Sequence, residues 1–239
     1  MKRVLIASCV GAAATYVVGA SAQEAGRPGY FERQMAAPTS AFEIGVSGLY
    51  NQGFGNLSDL RGPTATSGRR LQDNANAGVG AELDLGIRVL PEMSVGAYGT
   101  YTEYQRDVQL LTGTNVRSMT GGLQGQWFFM PYRVVNPWIS LGTAYRAFWT
   151  VPEVGPNITQ HGWQIARVQV GADMRASREV SIGPYVGGSV ETFLGEQVSG
   201  QDVRALSGPP VSGFVSAGIA GRFDVGGRYI APVTMVGSR

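Results

Sequence analysis

Between Val79 and Val89 every odd-numbered residue is aliphatic (Val79, Ala81, Leu83, Leu85, Ile87, Val89), and every even-numbered one is glycine or charged. A period of two over that length predicts a β-strand whose two faces meet different environments. Seven further segments share the rhythm. The eight predicted strands span 41–50, 77–90, 94–104, 116–129, 138–150, 163–175, 180–194 and 213–225. The first sets Phe42, Ile44, Val46 and Tyr50 against Glu43, Gly45 and Ser47, and the fourth sets Met119, Leu123 and Trp127 against Ser118, Thr120, Gln124 and Gln126. The fifth sets Ile139, Leu141, Tyr145 and Trp149 against Ser140, Gly142 and Arg146; the sixth sets Ala166, Val168, Val170 and Met174 against Arg167, Gln169, Asp173 and Arg175. The seventh opposes Ile182, Val186 and Val190 to Ser181, Ser189 and Glu191, and the eighth opposes Val215, Ile219 and Phe223 to Ser216, Arg222 and Asp224. The third is least regular, because Tyr98 and Tyr104 stand opposite Val95, Ala97 and Tyr101. Pro184 lacks a ladder donor and predicts a local bulge in the seventh strand.

Alternation by itself suits two kinds of barrel: one with its apolar rows in lipid, and a soluble one with those rows around an internal cavity. Connections of alternating length favour the first. The segments 51–76, 105–115, 151–162 and 195–212 are long, and 91–93, 130–137 and 176–179 are shorter, the rhythm of external loops and periplasmic turns. Tyr50, Trp127, Phe129, Trp138, Trp149 and Trp163 gather near strand ends, as interfacial girdles do. The polar rows are rich in glycine, which makes room in a narrow lumen. About ten residues at roughly 3.3 Å each, tilted near 40°, span about 25 Å of hydrocarbon. The expected fold is an all-β, eight-stranded antiparallel up-and-down transmembrane barrel over residues 41–225.

That phase places charges inside. Glu43, Glu82, Asp84, Asp173, Glu191 and Asp224 share the lumen with Arg88, Arg146, Arg167, Arg175 and Arg222. An arginine facing lipid at mid-membrane costs about 2–4 kcal/mol, so five outward ones are prohibited. Six acids beside five arginines predict a salt-bridge network that packs the lumen rather than an ion-selective ring.

The first 22 residues read as a secretory signal peptide: Lys2 and Arg3, the mainly apolar run 4–18, then Ala20-Ser21-Ala22 before Gln23. Ile6-Ala7-Ser8-Cys9 also has the form of a lipoprotein cleavage box, although its apolar run is short. Residues 23–40 are polar, contain Pro28 and Pro38, and are expected to form a flexible periplasmic lead-in; 226–239 form a periplasmic tail. The chain carries 19 basic and 17 acidic residues. Loss of Lys2 and Arg3 leaves 17 against 17, so charge gives no reason to expect a nucleic-acid partner. Cys9 is the only cysteine, so the mature chain has no disulfide. Charged residues are 15%, against roughly 25% in average soluble domains.

The signal peptide, the eight alternating strands and a mature length of 217 residues (239 less 22) together resemble the small outer-membrane barrels of Gram-negative bacteria, the OmpA/OmpX/OmpW type. The resemblance covers Ala41 to Val225 and rests on architecture. It implies an outer-membrane location, lipid and lipopolysaccharide as surroundings, and a monomer. It also implies recognition of the last strand by the outer-membrane insertion machinery. Gly218 and Phe223 resemble that signal, although Gly221 stands where an apolar residue is usual and the chain continues past Phe223.

Catalytic chemistry has little to draw on, and a non-enzyme without cofactor or metal is expected. His161 is the only histidine, and Thr159 is the nearest hydroxyl in sequence, with Ser199 and Ser207 in the next connection. A lipid A-modifying enzyme would need one of them within reach of the imidazole. The readings left open are a structural barrel, a narrow channel with a side opening near Leu49 and Phe148, and external loops whose Arg61, Arg69, Arg70 and Arg204 meet lipid A phosphates. A soluble periplasmic barrel that binds a lipid is the fourth.

Overall fold

The computed structural model describes residues 37–58, 69–71, 77–104, 115–152, 156–199, 201–206, 209 and 211–228. The signal peptide, most of the lead-in, most of the tail, Arg61 and Ser207 lie outside them. Eight long strands make up the barrel: β1 Ala41–Ser58, β2 Ala77–Leu90, β3 Met93–Tyr104, β4 Asn115–Phe128, β5 Val135–Val151, β6 Ile158–Arg175, β7 Val180–Val198 and β8 Val211–Val225. Each pairs antiparallel with its chain neighbour, and β8 pairs with both β7 and β1, which closes the ring. Closure gives every strand two partners, so no edge is left with unpaired backbone groups. The two-residue strands Arg69–Arg70 and Arg204–Ala205 extend the ladder against β1 and β7 at the long-connection end.

The predicted strands are present, and several run further toward that end. β1 continues past Tyr50, where Gln52 pairs with Val215 and Gly53 with Phe214. Alternation is weaker there because the inner face turns apolar around Leu71 and Phe214 as the outer face leaves the hydrocarbon, while backbone pairing needs no fixed apolar row.

Orientation follows the predicted phase. Phe42, Val46, Leu83, Ile87, Leu123, Leu141, Val170 and Ile219 are exposed on the outside. The described outward face of the eight strands carries two charged side chains, Glu103 and Arg117, paired at 3.5 Å near the long-connection end. A closed ring with an apolar exterior and a charged interior is a membrane-spanning barrel. A soluble lipid-binding barrel needs the opposite phase, so that reading is overturned.

Two further expectations are corrected. The register runs straight through Pro184, which pairs with Ile219. On the β6 side of β7, Gly171 with Tyr185 and Met174 with Ile182 keep one register. The irregularities fall instead between Gln164 and Ala166 and between His161 and Gly162. The first inserts Ile165 into β6 and reverses its parity, so even-numbered Gln164 and odd-numbered Arg167 both point inward. Trp163 is thereby turned outward with Trp127, Phe129 and Tyr50. Trp138 does not join this girdle. It is buried in the lumen because it shares the parity of Ser140 and Arg146.

A charge placed on the apolar belt should be costly in lipid. Leu123→Arg is expected to lower the unfolding free energy by about 2–4 kcal/mol in lipid vesicles, measured by urea titration, whereas a water-facing position would tolerate it.

Candidate functional site

All eleven acids and arginines predicted for the lumen are buried there. They form two groups, each with as many acids as arginines. Nearest the short turns, Arg88 reaches Glu43 at 2.5 Å and Asp224 at 3.2 Å, and Arg175 reaches the other Asp224 oxygen at 3.0 Å. Arg222 donates to Asp173 and lies 4.0 Å from Glu43. Toward the long connections, Arg167 holds both oxygens of Glu82 at 2.5 and 2.6 Å, and Arg146 meets Glu191 at 3.0 Å. Glu82 on β2 and Arg167 on β6 stand on opposite sides of the ring, so their contact fills the full width of the lumen.

Aromatic rings and amides complete these groups. Arg88 stacks on Phe128 at 4.0 Å, Arg222 on Trp138 at 4.2 Å, Arg167 on Tyr98 at 4.1 Å and Arg146 on Phe214 at 4.2 Å. A planar guanidinium on a ring keeps its edge free for carboxylates, so the two interactions reinforce each other. Trp138 Nε1 donates to Asp173 at 2.8 Å, and Gln164 Nε2 donates to Glu191 at 2.8 Å while Tyr98 donates to the Gln164 oxygen. Phe128 and Phe214 were missed by sequence reasoning, although parity marks them: Phe128 follows Gln124 and Gln126, and Phe214 precedes Ser216 and Arg222.

Asp84 is the exception. It lies between the two groups, accepts from Gln124 Nε2 at 2.5 Å, and has no arginine partner among the described residues.

Apolar side chains close the lumen above and beside the charges. Leu71, from the first long connection, is fully buried against Tyr104, Val116, Phe148, Phe193 and Phe214. Leu49 joins Phe128, Trp138, Tyr185 and Ala220 in a second cluster. Leu49 and Phe148, expected beside a side opening, therefore sit inside packed clusters. The cavity at Asn51, Glu82, Arg146 and Arg167 measures about 30 Å³, room for about two waters.

The remaining predicted residues fall elsewhere. Gly218 faces inward, where a Cβ would lie 2.9 Å from the Tyr185 ring and 2.3 Å from the Gly48 carbonyl, so packing alone demands glycine. Phe223 is exposed on the lipid face. His161 is within β6, stacked on Tyr145 at 6.1 Å and lying over Gly195. Arg204 is exposed opposite Glu196.

Glu82→Ala leaves the Arg167 guanidinium buried without its acid and is expected to cost about 3–5 kcal/mol. Arg222→Ala should cost as much by stranding Asp173. Asp84→Asn frees no arginine and should stay within about 1 kcal/mol of the native barrel. Urea unfolding in vesicles checks all three, and equal costs at Glu82 and Asp84 would contradict the pairing.

No family model and no curated protein matches this chain. Solved structures do. Neisserial surface protein A is 13% identical over 75% of this chain and 95% of its own, with a TM-score of 0.45. The outer membrane protein OprG from Pseudomonas aeruginosa is 10% identical over 79% and 98%, with a TM-score of 0.47. Ail, the attachment invasion locus protein of Yersinia pestis, is 11% identical over 77% and 99%, with a TM-score of 0.42. This chain is similar to these proteins in fold alone.

Proposed function

We propose that this protein is an integral outer-membrane barrel with a structural role, whose lumen is a packed interior rather than a pore. The observation that carries the reading is the direct contact of all five lumen arginines with carboxylates. An ion crossing the barrel would need a continuous wet path, and here it meets charge pairs locked across the ring and a cluster of apolar rings. An eight-stranded barrel is only just wide enough for its own side chains. The protein then acts as a rigid, lipid-anchored scaffold that holds its long connections at one end. The predicted signal peptide and the apolar belt support the outer membrane as its site, with lipid and lipopolysaccharide around it. Gly218 and Phe223 belong to the proposed recognition strand for the insertion machinery, with Phe223 presented outward.

The narrow-channel reading loses its sequence support with the burial of Leu49 and Phe148. The lipid A-modifying reading rests on His161, whose described contacts are a ring and a glycine rather than a hydroxyl or a carboxylate. Purified barrel in a planar bilayer is expected to give no regular conductance steps, and a stable stepwise current would overturn the packed-lumen reading.

A further inference from the structure

The chain before β1 does not leave the barrel directly. Ser40 has a left-handed backbone, with φ of 54°, and turns residues 37–39 inward across the short-turn mouth. Thr39 exchanges two backbone hydrogen bonds of 2.8 Å with Arg228, just beyond β8. Ala37 N–H then donates to the Pro131 carbonyl at 2.9 Å. Pro131 belongs to the β4–β5 turn, on the far side of the ring from β1. Pro38, between these anchors, is fully buried and has no N–H to satisfy, and Ala37 is 2% exposed. The end of the expected flexible lead-in is thus a strap packed across the mouth.

The other terminus is shaped to receive it. Gly227 has φ of 92°, and a Cβ there would lie 2.7 Å from the Thr39 carbonyl and 3.1 Å from Pro38 Cβ. Its neighbour Gly226 has a similar φ of 71° and nothing within 4 Å. Two glycines with similar left-handed backbones therefore differ in contact with the strap and with Ala41 at its base, whose Cβ would lie 2.8 Å from a Cβ at Gly227.

We propose that residues 37–40 are a periplasmic lid that keeps water from the charge group at the short-turn end. Among the described residues one backbone hydrogen bond holds the Ala37 end, which lifts first, with Ser40 as the hinge. At the same end of the lumen, next to the short turns, Ser94 donates its hydroxyl to Glu43 at 3.4 Å, and Ser94 and Ser181 are both 3% exposed. The lid rests on the packed-lumen reading only for what lies beneath it, and the two fail separately: loss of the packed lumen appears as conductance, loss of the lid as a change in access from one side.

Access can be read with a charged, water-soluble thiol reagent on the folded barrel carrying Ser94→Cys. Adding Gly227→Val, which pushes the strap away, should speed labelling at least tenfold. Adding Gly226→Val, which strains the tail equally but touches no strap residue, should leave the rate unchanged. Bilayers should remain silent with all three. Equal labelling in the two valine variants, or fast labelling of Ser94→Cys alone, would overturn the lid. If Ser94→Cys does not fold, Ser181→Cys gives the same comparison.

Discussion

Hydrocarbon tolerates neither an unpaired backbone group nor an unpaired charge, and the architecture of this barrel follows from that intolerance. Closing the sheet satisfies the backbone. It also forces every charged residue of the strands either to the rim, where Glu103 and Arg117 pair with each other, or into the lumen. An eight-stranded ring leaves little room for water inside. Charges sent inward must therefore meet one another.

The lumen answers with two balanced groups rather than a random mixture. Around the short turns three arginines face three acids, and further along two arginines face two acids. Burying a pair costs desolvation, and the cost is offset only with good geometry and with the remaining donors engaged. Rings under the guanidiniums, the Trp138 indole and the Gln164 amide supply part of that offset, while Arg167 Nη1 and Arg175 Nε are buried without a hydrogen-bond partner. Apolar packing around Leu71 keeps water from the far end, which strengthens each electrostatic contact by lowering the local dielectric. A barrel filled in this way resembles a protein core turned polar.

Much of this was legible in the chain because strand parity is rigid. The Val79–Val89 row could face only one way once its charged partners were excluded from lipid, and the interior positions of Glu82, Asp84 and Arg88 followed. The same rule would have placed Trp138, Phe128 and Phe214 inside, but aromatic residues near strand ends also suit the membrane interface. Composition and parity pointed in opposite directions there, and parity was decisive. At Trp163 parity itself failed, because the residue inserted at Ile165 reverses the faces of β6. A bulge has no strong signature in a strand without glycine at the inserted position. Residues 37–40 escaped for another reason: a strap without periodicity looks like any polar segment until its landing place is known.

Taken alone, the order of residues determined eight strands, the direction most of their side chains take and the alternation of long and short connections. Each is a local property, set within a few residues by the two-residue period. Which acid meets which arginine was decided only by the tertiary structure. Glu82 and Arg167 are 85 positions apart, and Arg88 and Asp224 are 136 apart. Their contacts depend on the curvature and stagger of the closed sheet, which bring side chains together across the ring. Parity can put a charge in the lumen, but the height at which it meets a partner is a property of the whole barrel.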